Sequence, residues 1–165
     1  MVALLRISGI IKDSIVDGPG LRFVVFTQGC NHNCLGCHNP QTHDLKGGYE
    51  ISVSELAEIM AEQRLISGGE PFLQAEALIP FATIVKKNSL NLIAYTGYYF
   101  EDLLKLSAEN TNIMELLKYI DVLIDGPFVL QQKDLSIPFR GSKNQRLVDV
   151  KRSLETGNVV TLAQI

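Results

Sequence analysis

Along the chain, short β-branched and aromatic runs alternate with stretches whose apolar residues recur every three or four positions. LRFVVF (Leu21–Phe26) is bounded by Asp17-Gly18-Pro19-Gly20 upstream and Gly29 downstream, which predicts a buried strand. Ser52 and Glu55 form a capping-box signature, and Leu56, Ile59 and Met60 share one face, predicting a helix over Val53–Gln63. Almost no connection then precedes Arg64, where helix-to-strand loops usually take about 2–6 residues, so either the helix ends early, near Met60, or the next strand is stunted. RLIS (Arg64–Ser67) reads as a short strand ending at Gly68-Gly69. A second helix is predicted within Gln74–Asn88, kinked or restarted at Pro80. LNLIAY (Leu90–Tyr95) is a strand ending at Thr96-Gly97; YFEDLLKL and IMELLKY are helices. DVLID (Asp121–Asp125) is a strand closed by Gly126-Pro127, and RLVDV and NVVTL are expected to add edge strands.

Strand and helix in alternation imply right-handed βαβ units and an α/β fold with a mostly parallel sheet. The glycine and polar residues cluster just after strand ends, at the loop after Phe26, at Gly68-Gly69-Glu70, at Thr96-Gly97 and at Asp125-Gly126. Those are the carboxyl ends of parallel strands, where α/β folds build their sites. A full eight-fold barrel needs about 200 residues or more, so the expectation is a partial, open (β/α) barrel.

Composition changes this picture little. The 165 residues suit a single domain, 1–165, and no repeat or linker is visible. The formal net charge of −3 gives no reason to expect nucleic acid or a membrane surface as partner. No run of about 18 apolar residues occurs. MVALLRISGIIKDS breaks its apolar stretch at Arg6 and Lys12-Asp13 and does not read as a secretory signal. The expected location is the cytoplasm, where clustered cysteines hold metal more often than they pair.

The chain's three cysteines all lie in QGCNHNCLGCHNP (Gln28–Pro40). Cys34-Leu35-Gly36-Cys37-His38 alone spells a c-type haem attachment site, but leaves Cys30 without a role. Three thiolates with His32 or His38 could hold zinc, although zinc ligands usually come as two separated pairs. A [4Fe–4S] cubane wants four thiolates, and three would leave one iron open. An open iron suits a cluster that must bind something, so the missing ligand favours this reading.

Cys30-x₃-Cys34-x₂-Cys37 after a first strand resembles the signature of the radical S-adenosylmethionine (SAM) enzymes, and SGGEP (Ser67–Pro71) resembles their glycine-rich stretch. SIVDGPGLRFVVFTQGC with CHNP resembles the activators of glycyl-radical proteins. YTGY (Tyr95–Tyr98), DVLIDGPF (Asp121–Phe128) and FRGSKNQRLVDV (Phe139–Val150) resemble the branch that activates anaerobic ribonucleoside-triphosphate reductases. The resemblance runs from about Ser14 to Leu154. It implies a radical SAM fold and a [4Fe–4S] cluster on Cys30, Cys34 and Cys37, whose open iron binds the amino and carboxylate groups of SAM. Reductive cleavage would give a 5′-deoxyadenosyl radical that takes a hydrogen from a glycine Cα of the reductase's large subunit. It further implies that backbone at Gly36, Cys37 and His38 meets the adenine side of SAM, and Gly68 and Gly69 the methionyl end. Glu70 would lie near the methionyl ammonium, and a flavodoxin or ferredoxin would supply the electron. No side-chain acid or base is needed beyond the ligands. Where the family commonly has Trp after Thr42, this chain has His43; His32 and His43 read as bystanders. The resemblance leaves two further readings: an activator of another glycyl-radical enzyme, of the pyruvate formate-lyase type, and a zinc or electron-transfer module without turnover.

Overall fold

The computed structural model describes residues 2–60 and 64–165. Among the described residues, seven strands form one open sheet: β1 (Leu4–Ser14), β2 (Arg22–Thr27), β3 (Tyr49–Ser52), β4 (Arg64–Ser67), β5 (Leu92–Tyr95), β6 (Val122–Asp125) and β7 (Arg146–Asp149). Their spatial order is β3-β1-β2-β4-β5-β6-β7. The four inner strands β2, β4, β5 and β6 run parallel, as the alternation predicts. β1 pairs antiparallel with both β2 and β3 on one flank, and β7 pairs antiparallel with β6 on the other.

The helices are α1 (Val53–Ile59), α2 (Ala75–Lys87), α3 (Phe100–Leu106), α4 (Thr111–Leu117) and α5 (Val150–Thr156). Because side chains alternate along a strand, the sheet sorts its apolar residues to two faces. Phe23, Val25, Ile66, Leu92, Ala94, Leu123 and Val148 pack against buried residues of all five helices. Val24, Ile93, Val122, Ile124 and Leu147 face the other way, where Phe26, Tyr95, Phe139, Leu162 and Ile165 join them. The helices thus cover one face only, and the second face is the inner wall of the partial barrel. None of the helices is long and apolar enough to cross a membrane, among the described residues.

Several expectations need correction. α1 closes at Ile59, with Met60 already extended: of the two alternatives it takes the early end near Met60 and not the full span to Gln63, and positions 61–63 lie outside the described residues. α2 passes through Pro80 as one continuous element rather than restarting there. NVVTL is not a strand: it follows β7 through one bridge, Thr161 to Val148, and through bonds from Asp149 and Leu162. The preceding residues 150–156 form α5 instead.

The capping box is present at α1. The Glu55 N–H donates to Ser52 Oγ at 3.1 Å, and the Ser52 N–H donates to Glu55 Oε2 at 3.1 Å. Ser52→Ala is expected to lower stability by about 1 kcal/mol, read from the urea midpoint of the apo-protein. No shift in that midpoint would show the cap to be energetically idle.

Candidate functional site

The cysteine loop is anchored at its base. Beyond β2, the buried Gln28 side chain donates from Nε2 to the carbonyls of Gln41 (3.0 Å) and Asp44 (2.7 Å). The Gly29 N–H donates to the Thr42 carbonyl at 2.8 Å and the Cys30 N–H to that of His43 at 3.3 Å. These bonds close residues 29–43 into one loop on the end of β2. Within it, the Cys37 N–H donates to the Cys34 carbonyl at 3.2 Å. Gly36, at φ +78°, occupies the turn position that requires positive φ.

All three thiols line one cavity of about 520 Å³ at the carboxyl ends of the parallel strands. Ser67, Gly68, Gly69, Thr96, Gly97 and Gly126 line it too, so the four strand-end loops do converge. Phe26 and Tyr95 contribute from the helix-free face of the sheet. The cysteines are unpaired and partly buried. Burial pushes the Cys30 thiol up; a bond involving the His32 backbone opposes this, while Glu70 and the other two cysteines add to it. Bound metal reverses that tendency, because coordination deprotonates a thiol outright. Among the described residues, no three His, Cys, Asp or Glu side chains are grouped as a single metal ion would require.

Gly68 and Gly69 both adopt positive φ, +59° and +54°. A Cβ on Gly69 would lie 2.6 Å from the Thr27 carbonyl oxygen and 2.7 Å from that of Gly29, both immovable backbone atoms. Glycine is required here by the close approach of the turn to the end of β2. Thr42 completes the junction: its Oγ1 accepts from the Gly69 N–H at 2.9 Å and donates to the Asn39 carbonyl at 2.7 Å. Thr42 is almost fully buried, and nothing in the local sequence marks it for this role.

Cys30, Cys34, Cys37, His38, Gly68 and Gly69 line the cavity; Gly36 and Glu70 do not. Gly36 sits against Leu130 and Phe128. The His38 ring packs on Phe128 with centroids 5.0 Å apart. Glu70 is fully buried, and its carboxylate accepts from the backbone of Phe72 and Gly97 and from Thr96 Oγ1. His32, expected to be a bystander, lies with Nε2 2.6 Å from Glu70 Oε2. That expectation is corrected: the partners are 38 residues apart, so no local pattern could reveal them. His43 lines the cavity as well.

On the inner wall, the Tyr95 hydroxyl donates to the Phe139 carbonyl at 2.6 Å, and burial holds its pKa above the usual range. This bond ties the YTGY segment to the FRGSKNQR segment, whose Arg140 also lines the cavity.

Residues 16–148 match the family described as a 4Fe-4S single cluster domain. Together with the strand-end cavity and its three thiols, that match defines the class as an iron–sulfur cluster protein, and the chain's relatives make it an activating enzyme of the radical SAM type. An anaerobic ribonucleoside-triphosphate reductase-activating protein of Haemophilus influenzae is 33% identical over 144 residues, covering 79% of this chain and 89% of that one. The protein of the same name from Enterobacteria phage T4 is 35% identical, covering 80% of this chain and 86% of its own. The chain belongs to the family of anaerobic ribonucleoside-triphosphate reductase-activating proteins. A pyruvate formate-lyase-activating enzyme of Clostridium pasteurianum is also related, at 34% identity over 70% of this chain and 53% of that one.

Proposed function

We propose that this protein, acting as one domain over residues 1–165, generates the glycyl radical of an anaerobic ribonucleoside-triphosphate reductase. The observation that carries the reading is the cavity shared by the three thiols and the Gly68-Gly69 turn. Cys30, Cys34 and Cys37 would hold three irons of a [4Fe–4S] cluster, and the fourth would take the amino and carboxylate groups of SAM. The donor set fits such a group: three unpaired, partly buried thiols on one loop, with no fourth cysteine in the chain. When bound, the cluster would supply the electron for reductive cleavage of SAM, which would let the cofactor's adenosyl group take the hydrogen from the glycine Cα.

The chain's own residues bind and orient. Backbone at Cys37 and His38 would meet the adenine side of SAM, with the Phe128 contact holding His38 in place. Gly36, outside the cavity lining, would serve that side by forming the turn that presents them. Gly68 and Gly69, fixed by Thr42 and Thr27, would meet the methionyl end. Glu70, committed to interior bonds, would serve that end by holding the turn rather than by touching ligand. The open rim of the sheet would admit a glycine loop of the partner. A flavodoxin or ferredoxin would supply electrons, and the reaction would take place in the cytoplasm.

The test mixes the reconstituted protein with the large subunit of the anaerobic reductase, SAM and a reductant under anaerobiosis. The expected result is a glycyl-radical doublet by EPR, absent when SAM is omitted. No doublet on the reductase would overturn the reading. A doublet on pyruvate formate-lyase instead would support the second reading, which the C. pasteurianum relative keeps in view.

A further inference from the structure

Among the described residues, the stretch from Asn31 to Cys37 is bonded to the protein outside the 29–43 loop through two side-chain hydrogen bonds. Asn31 Nδ2 donates to the Tyr98 hydroxyl at 2.9 Å, and His32 Nε2 meets Glu70 Oε2 at 2.6 Å. The His32 ring also stands edge-on to Tyr98, with centroids 4.5 Å apart and planes at 76°. Gly97 makes room for that ring, since a Cβ there would fall 2.3 Å from His32 Cδ2. Glu70 in turn is bound to three segments: its own turn through Phe72 N–H (3.1 Å), the β5 loop through Thr96 Oγ1 (2.8 Å) and Gly97 N–H (2.9 Å), and the cysteine loop through His32. A buried carboxylate is tolerated only with such a full set of donors.

His32 lies midway between Cys30 and Cys34, and Glu70 directly follows Gly69. At the base of the loop, the Glu70 N–H donates to the Gly29 carbonyl at 2.8 Å and the Gly69 N–H to Thr42 Oγ1 at 2.9 Å. The His32–Glu70 bond adds the tie between the stretch that carries Cys34 and Cys37 and the glycine turn. Those are the two ends of the site to which, on the reading above, SAM must bind at once. The bonds at the base of the loop hold Gly29 and Cys30 but do not reach Cys34 or Cys37.

We propose that His32 is a positioning residue for SAM: acting through Glu70, it sets the span between the cysteine loop and the Gly68-Gly69 turn. The proposal rests on the assignment of this cavity as the SAM site. It concerns the geometry between two anchored halves rather than the formation of either. Losing the bond leaves three cysteines to take up iron, Gly69 held by Thr42 and the Glu70 N–H on the Gly29 carbonyl, but the stretch that carries Cys34 and Cys37 loses its tie to the turn.

The test compares His32→Leu, which keeps bulk and removes the donor, with His32→Gln, which keeps a donor. Glu70→Gln removes the charge from the other side. Each is reconstituted anaerobically and assayed for iron and sulfide, for SAM dissociation constant by equilibrium dialysis without reductant, and for the change that SAM causes in the EPR of the reduced cluster. Hydrogen exchange of residues 31–37 is followed in the apo-proteins. His32→Leu is expected to carry wild-type iron, to bind SAM about tenfold more weakly, to lose most of the SAM-induced EPR change, and to exchange faster at residues 31–37. His32→Gln is expected to recover most of the affinity. His32→Leu binding SAM like wild type, or His32→Leu and His32→Gln losing iron together, overturns the proposal, the second outcome making His32 a prop of the cluster loop itself. Wild-type protein that takes up no iron, or takes it up and binds no SAM, overturns the assignment of the cavity and the proposal with it.

Discussion

Cys34→Ala is expected to lose its iron–sulfur cluster and to cut SAM cleavage by at least about 100-fold, beyond the range typical of losing a supporting residue around a metal. The fold should survive the change. Cys34 contributes to the loop's turn through its backbone carbonyl, which accepts the Cys37 N–H, and alanine keeps that bond. The bonds at the base of the loop, from Gln28, Gly29 and Cys30, are made by other residues. The apo-variant should therefore melt close to wild type by circular dichroism, while its reconstituted form lacks the broad visible absorption that bleaches on reduction. Leu35→Ala is the control one residue away: Leu35 is 73% exposed and supplies no donor atom from its side chain, so iron content and cleavage should stay at wild-type levels. Wild-type iron and cleavage in Cys34→Ala would remove Cys34 from the ligand set. A colourless wild-type protein with stoichiometric zinc would replace the cluster with a structural site.

The cysteine loop was legible because its donors are close in sequence and have nothing else to do. β2, β5 and β6 were legible for a different reason: inner parallel strands whose side chains are buried toward the helices and toward the inner wall alike carry near-continuous apolar runs, here FVVF, LIAY and VLI. β1 escaped notice because much of its outer half is exposed and its partners are antiparallel strands on either side. β3 is as short as β5 and β6 but reads YEIS, with Tyr49 and Glu50 exposed, so it carries no apolar run to mark it. α5 did carry signals, an Asp149 cap bonded to the Arg152 N–H and a left-handed Gly157 at its end. They were outweighed by the valines on both sides, which read as strands. The joints of the site stayed hidden because each links residues far apart: His32 with Glu70, Thr42 with Gly69, Tyr95 with Phe139. Spacing reveals ligands that share a loop, whereas packing between loops is decided only when the sheet brings them together.

Arg146→Leu is expected to destabilise the protein by about 3–5 kcal/mol, the usual cost of stranding a buried charge and a large share of a domain's total stability. Asp125 ends β6 with its carboxylate fully buried. It accepts from the Phe100 N–H at 2.8 Å, from Arg146 Nε at 3.0 Å and from Arg146 Nη2 at 2.5 Å. The same guanidinium reaches Glu101 of α3 at 2.7 Å and lies 5.2 Å from the Tyr99 ring centroid. One arginine thus joins β7 to β6 and to α3, directly beneath Gly126 at the cavity wall. The other end of the network should matter far less. Glu101 is about half exposed, and Glu101→Gln should cost no more than about 1 kcal/mol. Hydrogen bonds from Arg146 lower the Glu101 pKa, so its small contribution is present above about pH 4.3 and fades as pH falls through the lowered value. Arg146→Leu combined with Asp125→Leu should recover part of the loss, because the stranded charge goes with its partner. Urea unfolding of the apo-proteins checks the order: Arg146→Leu worst, the double variant between, Glu101→Gln nearest wild type. Equal losses for Arg146→Leu and Glu101→Gln would mean that the buried carboxylate is satisfied without its arginine, and that β7 is held by its ladder to β6 alone.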